Sequence, residues 1–244
     1  MNFIHEDTIQ LSKSDSEWGN ILYALSLTFY STSTKDKKRL SKKERETVIL
    51  SDITAQALVG IMLGDGHIQQ RSVTGNSRFL FTQTSVKHKN YYQKVFNLFE
   101  PYCTKNLQSY CKSWEDKKTK QIYESLSFAT IALPCFNKYR EMFYLNNIKV
   151  VPSDIFNLLT EIGLAHWIMD DGSKHGKGLH LNVYAFSTED VNRLINTLEN
   201  KFGFKCSIHL KGNKPRIYIW AESMDNLRSL VKPYMCSSMC YKID

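Results

Sequence analysis

The sequence lacks the spacings that bind zinc or staple a small secreted fold. Its six cysteines (103, 111, 135, 206, 236 and 240) include no Cys-x-x-Cys pair and no histidine at zinc-finger spacing. Zinc is therefore not expected, and the thiols are expected to be reduced. Long apolar runs are also missing. The greasiest stretch, residues 21–30, is interrupted by Ser26 and Thr28 and falls short of the ~18 residues of a membrane span, so no membrane partner is expected. The N-terminus carries Glu6 and Asp7 and resembles neither a secretory signal nor an Arg-rich transit peptide. A protein of this kind that works in an organelle is expected to be made there. Acidic residues are the scarcer charge, 24 against 32 Lys plus Arg, for a net +8 and a pI near 9.1, which favours a polyanionic partner. The 13 Tyr, 13 Phe and 42% hydrophobic content are enough for a true core.

What is present is a repeat. Leu58-Val-Gly-Ile-Met-Leu-Gly-Asp-Gly66 and Leu164-Ala-His-Trp-Ile-Met-Asp-Asp-Gly172 share an outline at a constant offset of 106. Apolar residues at 58, 61 and 62, and at 164, 167 and 168, follow the spacing of a buried helical face. Asp65 and Asp171 are expected on that face in the last helical turn, with Gly66 and Gly172 in the left-handed position that ends helices. An Asp near a helix C-terminus costs roughly 0.3–1 kcal/mol against the macrodipole. Either Asp-Gly alone reads as a turn behind a core helix. The same unfavourable choice made twice reads as a site, and a divalent cation between two such carboxylates would relieve their repulsion.

The two nonapeptides resemble those of the LAGLIDADG homing endonucleases, in particular the monomeric two-motif members encoded in mitochondrial introns. Leu145-Asn-Asn-Ile-Lys-Val-Val-Pro152 resembles that subfamily's approach to its second motif. Asn213-Lys-Pro-Arg-Ile-Tyr-Ile219, Leu230-Val-Lys-Pro-Tyr234 and Met239-Cys-Tyr-Lys242 resemble its C-terminal end. The resemblance covers about residues 50–244. It implies an α+β fold of two pseudo-symmetric αββαββα halves, with the motif helices packed at the centre and antiparallel sheets forming a saddle over DNA. It further implies a mitochondrial, monomeric, site-specific double-strand DNA endonuclease that promotes intron homing. By the same resemblance, Asp65 and Asp171 hold Mg²⁺, one per active site, with the backbone carbonyls of Gly64 and Asp170 adding a ligand each. Mn²⁺ is expected to substitute, and Ca²⁺ to bind without supporting cleavage. Lys149 and Lys242 match the pocket basic residues, and Gln83 the residue that hydrogen-bonds pocket water. In the second half Tyr184 stands where a glutamine is expected, so unequal pockets are implied. The alternative reading is an intron-splicing maturase of the same fold, binding structured RNA, with or without retained DNA cleavage.

The chain divides into a partly flexible extension (residues 1–50) and two halves (51–150 and 151–244). Within the extension, residues 21–30 are expected to form a short helix or strand, and Ser41 with Glu44 a capping box. Ser51 or Asp52 starts the first motif helix. Strands are expected at 67–73 and 78–84, a helix at 87–99 stopped by Pro101, strands at 106–114 and 121–130, and a helix opened by Pro134. The second half repeats this order: a motif helix at 160–171, strands within 174–186 around Gly176 and Gly178, a helix at 188–202 capped by Ser187, strands at 205–210 and 216–220, and a closing helix at 222–234.

The strands carry polar and basic side chains suited to a β-ribbon in the major groove. In the first half these are Gln69, Arg71, Arg78, Lys112 and Lys120, with turn residues Lys117 and Lys118 placed for phosphates. In the second half they are Lys174, His180, Asn182, Lys205, His209, Lys214 and Arg216, with Lys211 at the turn.

Overall fold

The computed structural model describes residues 40–104 and 110–244, all within one compact unit, Lys38–Asp244. The segment 21–30 lies outside the described residues. Helix α1 (Lys42–Glu46) starts with the expected capping box: Glu44 N–H reaches Ser41 Oγ, and the Glu44 carboxylate accepts from Ser41 N–H. Then come α2 (Asp52–Leu63), β1 (His67–Gln69), β2 (Arg78–Thr84), α3 (Ser85–Phe99), β3 (Tyr110–Glu115), β4 (Ile122–Ala129) and α4 (Asn137–Phe143). The hairpin β5 (Tyr144–Leu145) and β6 (Ile148–Lys149) follows, with the single-turn helix α5 (Ile155–Leu158). The second half runs α6 (Glu161–Asp171), β7 (Gly172–His175), β8 (Gly178–Asn182), α7 (Thr188–Phe202), β9 (Cys206–Lys211), β10 (Lys214–Ile219) and α8 (Met224–Val231). Each half is thus αββαββα.

The two four-stranded sheets have the same antiparallel order, β1-β2-β4-β3 and β7-β8-β10-β9. Both are covered on one face by helices. Alternation puts Ile68, Phe79 and Phe81 of the first sheet into the core, and Leu179, Leu181, Ile217 and Ile219 of the second. Their burial, at about 1.5–3 kcal/mol for a fully buried large apolar side chain, fixes the register, because a one-residue slip would turn each strand inside out. Side-chain caps sit where the sequence puts them: Ser51 accepts from Thr54 N–H, Thr160 from Gly163 N–H and Ser187 from Asp190 N–H.

Helices α2 and α6 form the central seam. They approach so closely at Gly60 and Gly163 that a Cβ on Gly60 would lie 1.7 Å from the Gly163 carbonyl oxygen. The 106 offset makes His166 the counterpart of Gly60, yet the residue across the seam is Gly163. The imidazole of His166 is turned into the core, where Tyr91 Oη lies 3.4 Å from its Nδ1 and burial pushes its pKa down to about 3.

Three local expectations are corrected. Gly66 and Gly172 are not left-handed; among the described residues the positive-φ glycines are 176, 203 and 212. Glycine is required at 66 and 172 because a Cβ would press on the carbonyl oxygens of Ile61 and Ile168, at 2.7 and 2.5 Å. Asp65 is not in the last helical turn either, since α2 ends at Leu63 and Asp65 lies in the exit, whereas Asp171 is the last residue of α6. Strand β1 stops at Gln69 because the Gln70 amide donates to the carbonyls of Val73 and Gly75, which folds residues 70–77 into a loop.

Candidate active site and nucleic-acid face

The ends of α2 and α6 bring three carboxyl groups together. Asp65 is exposed. Its N–H donates to Asp170 Oδ2 at 3.2 Å, and its Oδ2 accepts from Gln83 Nε2 at 2.5 Å. The other end of the same amide, Gln83 Oε1, lies 2.9 Å from His88 Nδ1, so the side chain is held at both ends. His88 is the one residue of α3 with non-helical dihedrals. Asp171 is half-buried and, among the described residues, has no hydrogen-bond or ion-pair partner. Burial and then the charge of Asp65 push its pKa up to about 7, against the opposing pull of Lys149 and Lys242. Asp170 is pushed well above the ordinary carboxylate range by burial and then by Asp65, and its Oδ1 has no partner.

Two lysines reach this seam from unrelated elements and make equivalent contacts. Lys149 Nζ donates to the carbonyls of Gly64 and Gly66, at 2.7 and 2.9 Å. Lys242 Nζ, from the C-terminal 3-10 turn Ser237–Lys242, donates to Ile168, Met169 and Asp170 carbonyls at 3.4, 2.5 and 3.1 Å. Each ammonium thus sits on the negative pole of one motif helix. Burial lowers the pKa of both, and the carboxylates of Asp170, Asp171 and Asp65 oppose that shift. The Gly64 and Asp170 carbonyls, expected as metal ligands, here accept from these ammonium groups.

Hairpin β5–β6 explains how Lys149 gets there. Asn146 and Asn147 take positive φ values of 50° and 64°, as a two-residue primed turn requires. Tyr144 pairs across the hairpin with Lys149. Its hydroxyl accepts from Ile68 N–H at 3.1 Å and lies 2.9 Å from His67 Nδ1, and the Arg140 guanidinium stacks 3.8 Å from its ring centroid. The adjacent Asn-Asn, a pair that tolerates positive φ, is the sequence signal for this hairpin.

The pockets are unequal, but not through Tyr184. Phe81 sits at the register position of Leu181, since Leu80 pairs with His67 and His180 with Ser173, two partners one offset of 106 apart. Counting on two residues makes Val183 the counterpart of Gln83, and both are buried. The matching 15-residue helices α3 and α7 likewise make Val191 the counterpart of His88. Asp65 therefore has a polar chain behind it, and at the counterpart positions the second half carries two valines. Tyr184 lies on the outside, its hydroxyl accepting from Arg216 Nε at 2.5 Å.

Opposed residues in an antiparallel ladder share a face, so the register sorts the expected contact residues. Gln69, Arg78 and Lys112 lie on the face of the first sheet turned away from the helices, where Arg78 donates to Gln69 Oε1. Arg71 is in the exposed loop after β1, while Lys117 and Lys118 are in the exposed turn after β3. Lys120, beside them, pairs with Glu115 at 3.1 Å. On the second sheet the outward face carries His180, Asn182, His209, Lys211, Lys214 and Arg216. Lys205 precedes β9 and is held by Glu222 at 2.5 Å. Lys174 is a correction: it opposes the buried Leu179, which puts it on the helix side beside Met224 and Arg228.

The sequence reading missed His175, Tyr218 and Trp220 on the second sheet and Trp114 on the first. Alternation from Lys112 gives Trp114 and alternation from Arg216 gives Tyr218 and Trp220, whereas His175 joins the same face only through the pairing of its strand with β8. His180 stacks on His175 at 4.2 Å and lies 3.0 Å from His209 Nδ1, while the His209 and Tyr218 rings stack at 4.5 Å. Burial, with His175, His209 and Arg216 nearby, pushes the His180 pKa down to about 4.

Residues 55–227 match the model of the LAGLIDADG DNA endonuclease family. The chain is 39% identical over 198 residues to the cytochrome b mRNA maturase bI2 of Saccharomyces cerevisiae, which covers 76% of this chain but 46% of the yeast protein. It thus spans less than half of that relative's length. It is 31% identical over 216 residues to the probable intron-encoded endonuclease 1 of Wickerhamomyces canadensis, covering 85% of this chain and 91% of that one. Among solved structures it is similar to the homing endonuclease I-WcaI bound to its DNA recognition sequence: TM-score 0.76, 28% identity, 89% of this chain and 97% of the other. By its sequence, its paired seam helices and these matches, the chain belongs to the LAGLIDADG DNA endonuclease family.

Proposed function

We propose that the protein is a metal-dependent, site-specific double-strand DNA endonuclease. It acts as a monomer in the mitochondrion, with the halves 51–150 and 151–244 each reading one side of an asymmetric target. The observation that carries this reading is the meeting of Asp65 with Asp171, a half-buried carboxyl group that, among the described residues, has no partner and whose pKa is raised by burial and then by the charge of Asp65. Such a pair fits a divalent ion. Among the described residues no group of three or more His, Cys, Asp or Glu side chains is arranged for one, so the two carboxylates would be completed by backbone oxygens, here Gly64 and Asp170, and by water. Mg²⁺ is the ion assigned, with Mn²⁺ as a substitute and Ca²⁺ as a binding but unproductive one. When bound, such an ion supplies an activated water and neutralises charge on the scissile phosphate.

The chain's own groups do the rest. Gln83, held by His88, fixes the rotamer of Asp65. Lys149 and Lys242 bring positive charge to the phosphate as negative charge develops there. The outward sheet faces dock in the major groove, with Gln69, Arg78, Asn182 and Arg216 suited to bases and the turn lysines 117, 118, 211 and 214 to phosphates.

The second reading, an intron-splicing maturase on the same surface, is favoured by the 39% identity to a protein named as an mRNA maturase. A single assay separates the two. Supercoiled DNA carrying the intron-insertion site, incubated with Mg²⁺, is expected to become linear with wild type and to lose this product with Asp65→Asn or Asp171→Asn, while gel-shift binding in Ca²⁺ persists. Unchanged cutting by both variants would refute the assignment; splicing of the precursor RNA without cutting would favour the maturase.

A further inference from the structure

The contacts of the two active-site lysines go beyond a charge waiting for substrate. Lys149 commits two N–H groups to backbone oxygens and Lys242 commits three. An ammonium has three donors, so Lys242 has none left over and Lys149 has one. Gly64 and Asp170, whose carbonyls are engaged, are the residues whose oxygens the proposed function gives to the metal. Each ammonium also sits among Asp65, Asp170 and Asp171 and offsets their repulsion. A hard cation needs the same oxygens and the same carboxylates, and two cations on one carbonyl repel each other at short range.

We propose that in the DNA-free protein Lys149 and Lys242 occupy the places that divalent ions take in the working site, so that each lysine must withdraw before its ion binds. The site is then self-compensated when idle: the helix ends and the acid cluster are satisfied without metal. The natural destination of a withdrawing ammonium is a DNA phosphate, which makes metal entry and DNA docking mutually supporting. The asymmetry in donors has its own consequence. Lys149 can begin to engage a phosphate through its spare N–H while still holding Gly66, whereas Lys242 must break a bond first. The inference rests on the proposed metal assignment, and the experiment separates the two.

Binding of Mn²⁺ to the DNA-free protein is followed by the loss of the free-ion signal in electron paramagnetic resonance. Wild type is expected to bind weakly. Lys149→Met and Lys242→Met are each expected to bind one ion at least tenfold more tightly, because the competing charge is gone. Lys149→Gln and Lys242→Gln guard against a folding defect. Each keeps an N–H donor for the helix end but removes the charge, and should also tighten binding. Adding Asp65→Asn and Asp171→Asn to these variants should abolish the gain. If the lysine variants bind no more tightly than wild type while the Asp substitutions still remove binding, the proposal is overturned and the metal assignment stands. If binding never depends on Asp65 or Asp171, the metal assignment itself fails.

Discussion

Replacing Gly60 and Gly163 with alanine, one at a time, should change stability very unequally although the two residues share a single contact. An added Cβ on Gly60 meets only backbone: the Gly163 oxygen at 1.7 Å, its carbonyl carbon at 2.5 Å and its Cα at 2.8 Å. Ordinary contact starts near 3.4 Å, so the two helices would have to part by 3.4 − 1.7, or about 1.7 Å. A gap of only ~0.5–1 Å forfeits a quarter to a half of a dispersion contact. Both helices are packed into the core through fully buried Leu58, Ile61, Leu164 and Trp167, which any separation would disturb. Overpacking alone costs about 1–3 kcal/mol, and opening the seam adds to it. We expect Gly60→Ala to cost on the order of 4 kcal/mol, a large part of the ~5–15 kcal/mol that holds a domain together. That is a fall in Tm of about 8–16 °C at this chain length. The same methyl on Gly163 meets the Gln56 oxygen at 3.1 Å and the movable Leu159 Cδ1 at 3.2 Å. A shift of a few tenths of an ångström relieves both, and alanine gains up to ~1 kcal/mol of helix propensity over glycine. Gly163→Ala should therefore stay within about 1 kcal/mol of wild type. Thermal and urea unfolding of the metal-free proteins measures both. Equal losses in the two variants, or a Gly60→Ala protein as stable as wild type, would refute the seam geometry.

Asp171→Asn should stabilise the metal-free protein as pH rises. The folded pKa near 7 lies above the reference value of 3.8, so the folded state holds the proton more tightly than the unfolded state does. Stability from this group is fullest below the unfolded value and is lost as pH rises to about 7, by up to ~4 kcal/mol at 1.36 kcal/mol per pKa unit. The variant should gain most above pH 7 and little near pH 4 in chemical denaturation with EDTA present; a constant gain across that range would exclude this origin. Gln83→Leu should slow cutting of the strand served by Asp65 by about 10–100-fold, the range seen when ligand-orienting partners are lost, and leave the other strand nearly unaffected. End-labelled duplexes report the two strands separately, and an equal loss on both would contradict the one-sided contact.

Much of the fold was legible because local and long-range signals agree. Ser51, Thr160 and Ser187 cap their helices where the polar-to-apolar transitions put them, and alternation gave both sheets. The two acids were legible because their motifs repeat at a fixed offset. What escaped depends on how distant elements meet. Nothing near Gly60 in the sequence says that its partner is Gly163 and not His166, because a helix crossing pairs residues by angle and not by motif position. The assignment of Tyr184 opposite Gln83 failed because the loop from 183 to 186 lengthens the second half before α7 starts, and only the ladder register identifies Val183. Lys174 read as an outward basic residue, yet its strand position turns it to the helix side. The contacts of Lys149 and Lys242 with carbonyls of the motif helices join residues 83–85 and 72–74 positions apart, a separation that no local pattern reveals.

The valines that stand in the second half where the first has the glutamine and histidine behind Asp65 have a consequence in time. Under the proposed function, two cutters of different build are expected to finish at different moments, so that a plasmid passes through a singly broken, relaxed circle on its way to the linear form. The slower cutter sets how long that circle persists. Val183 and Val191, which touch neither strand of the duplex in this scheme, become the places where the lag between the two breaks can be lengthened or shortened without altering the sequence that is recognised.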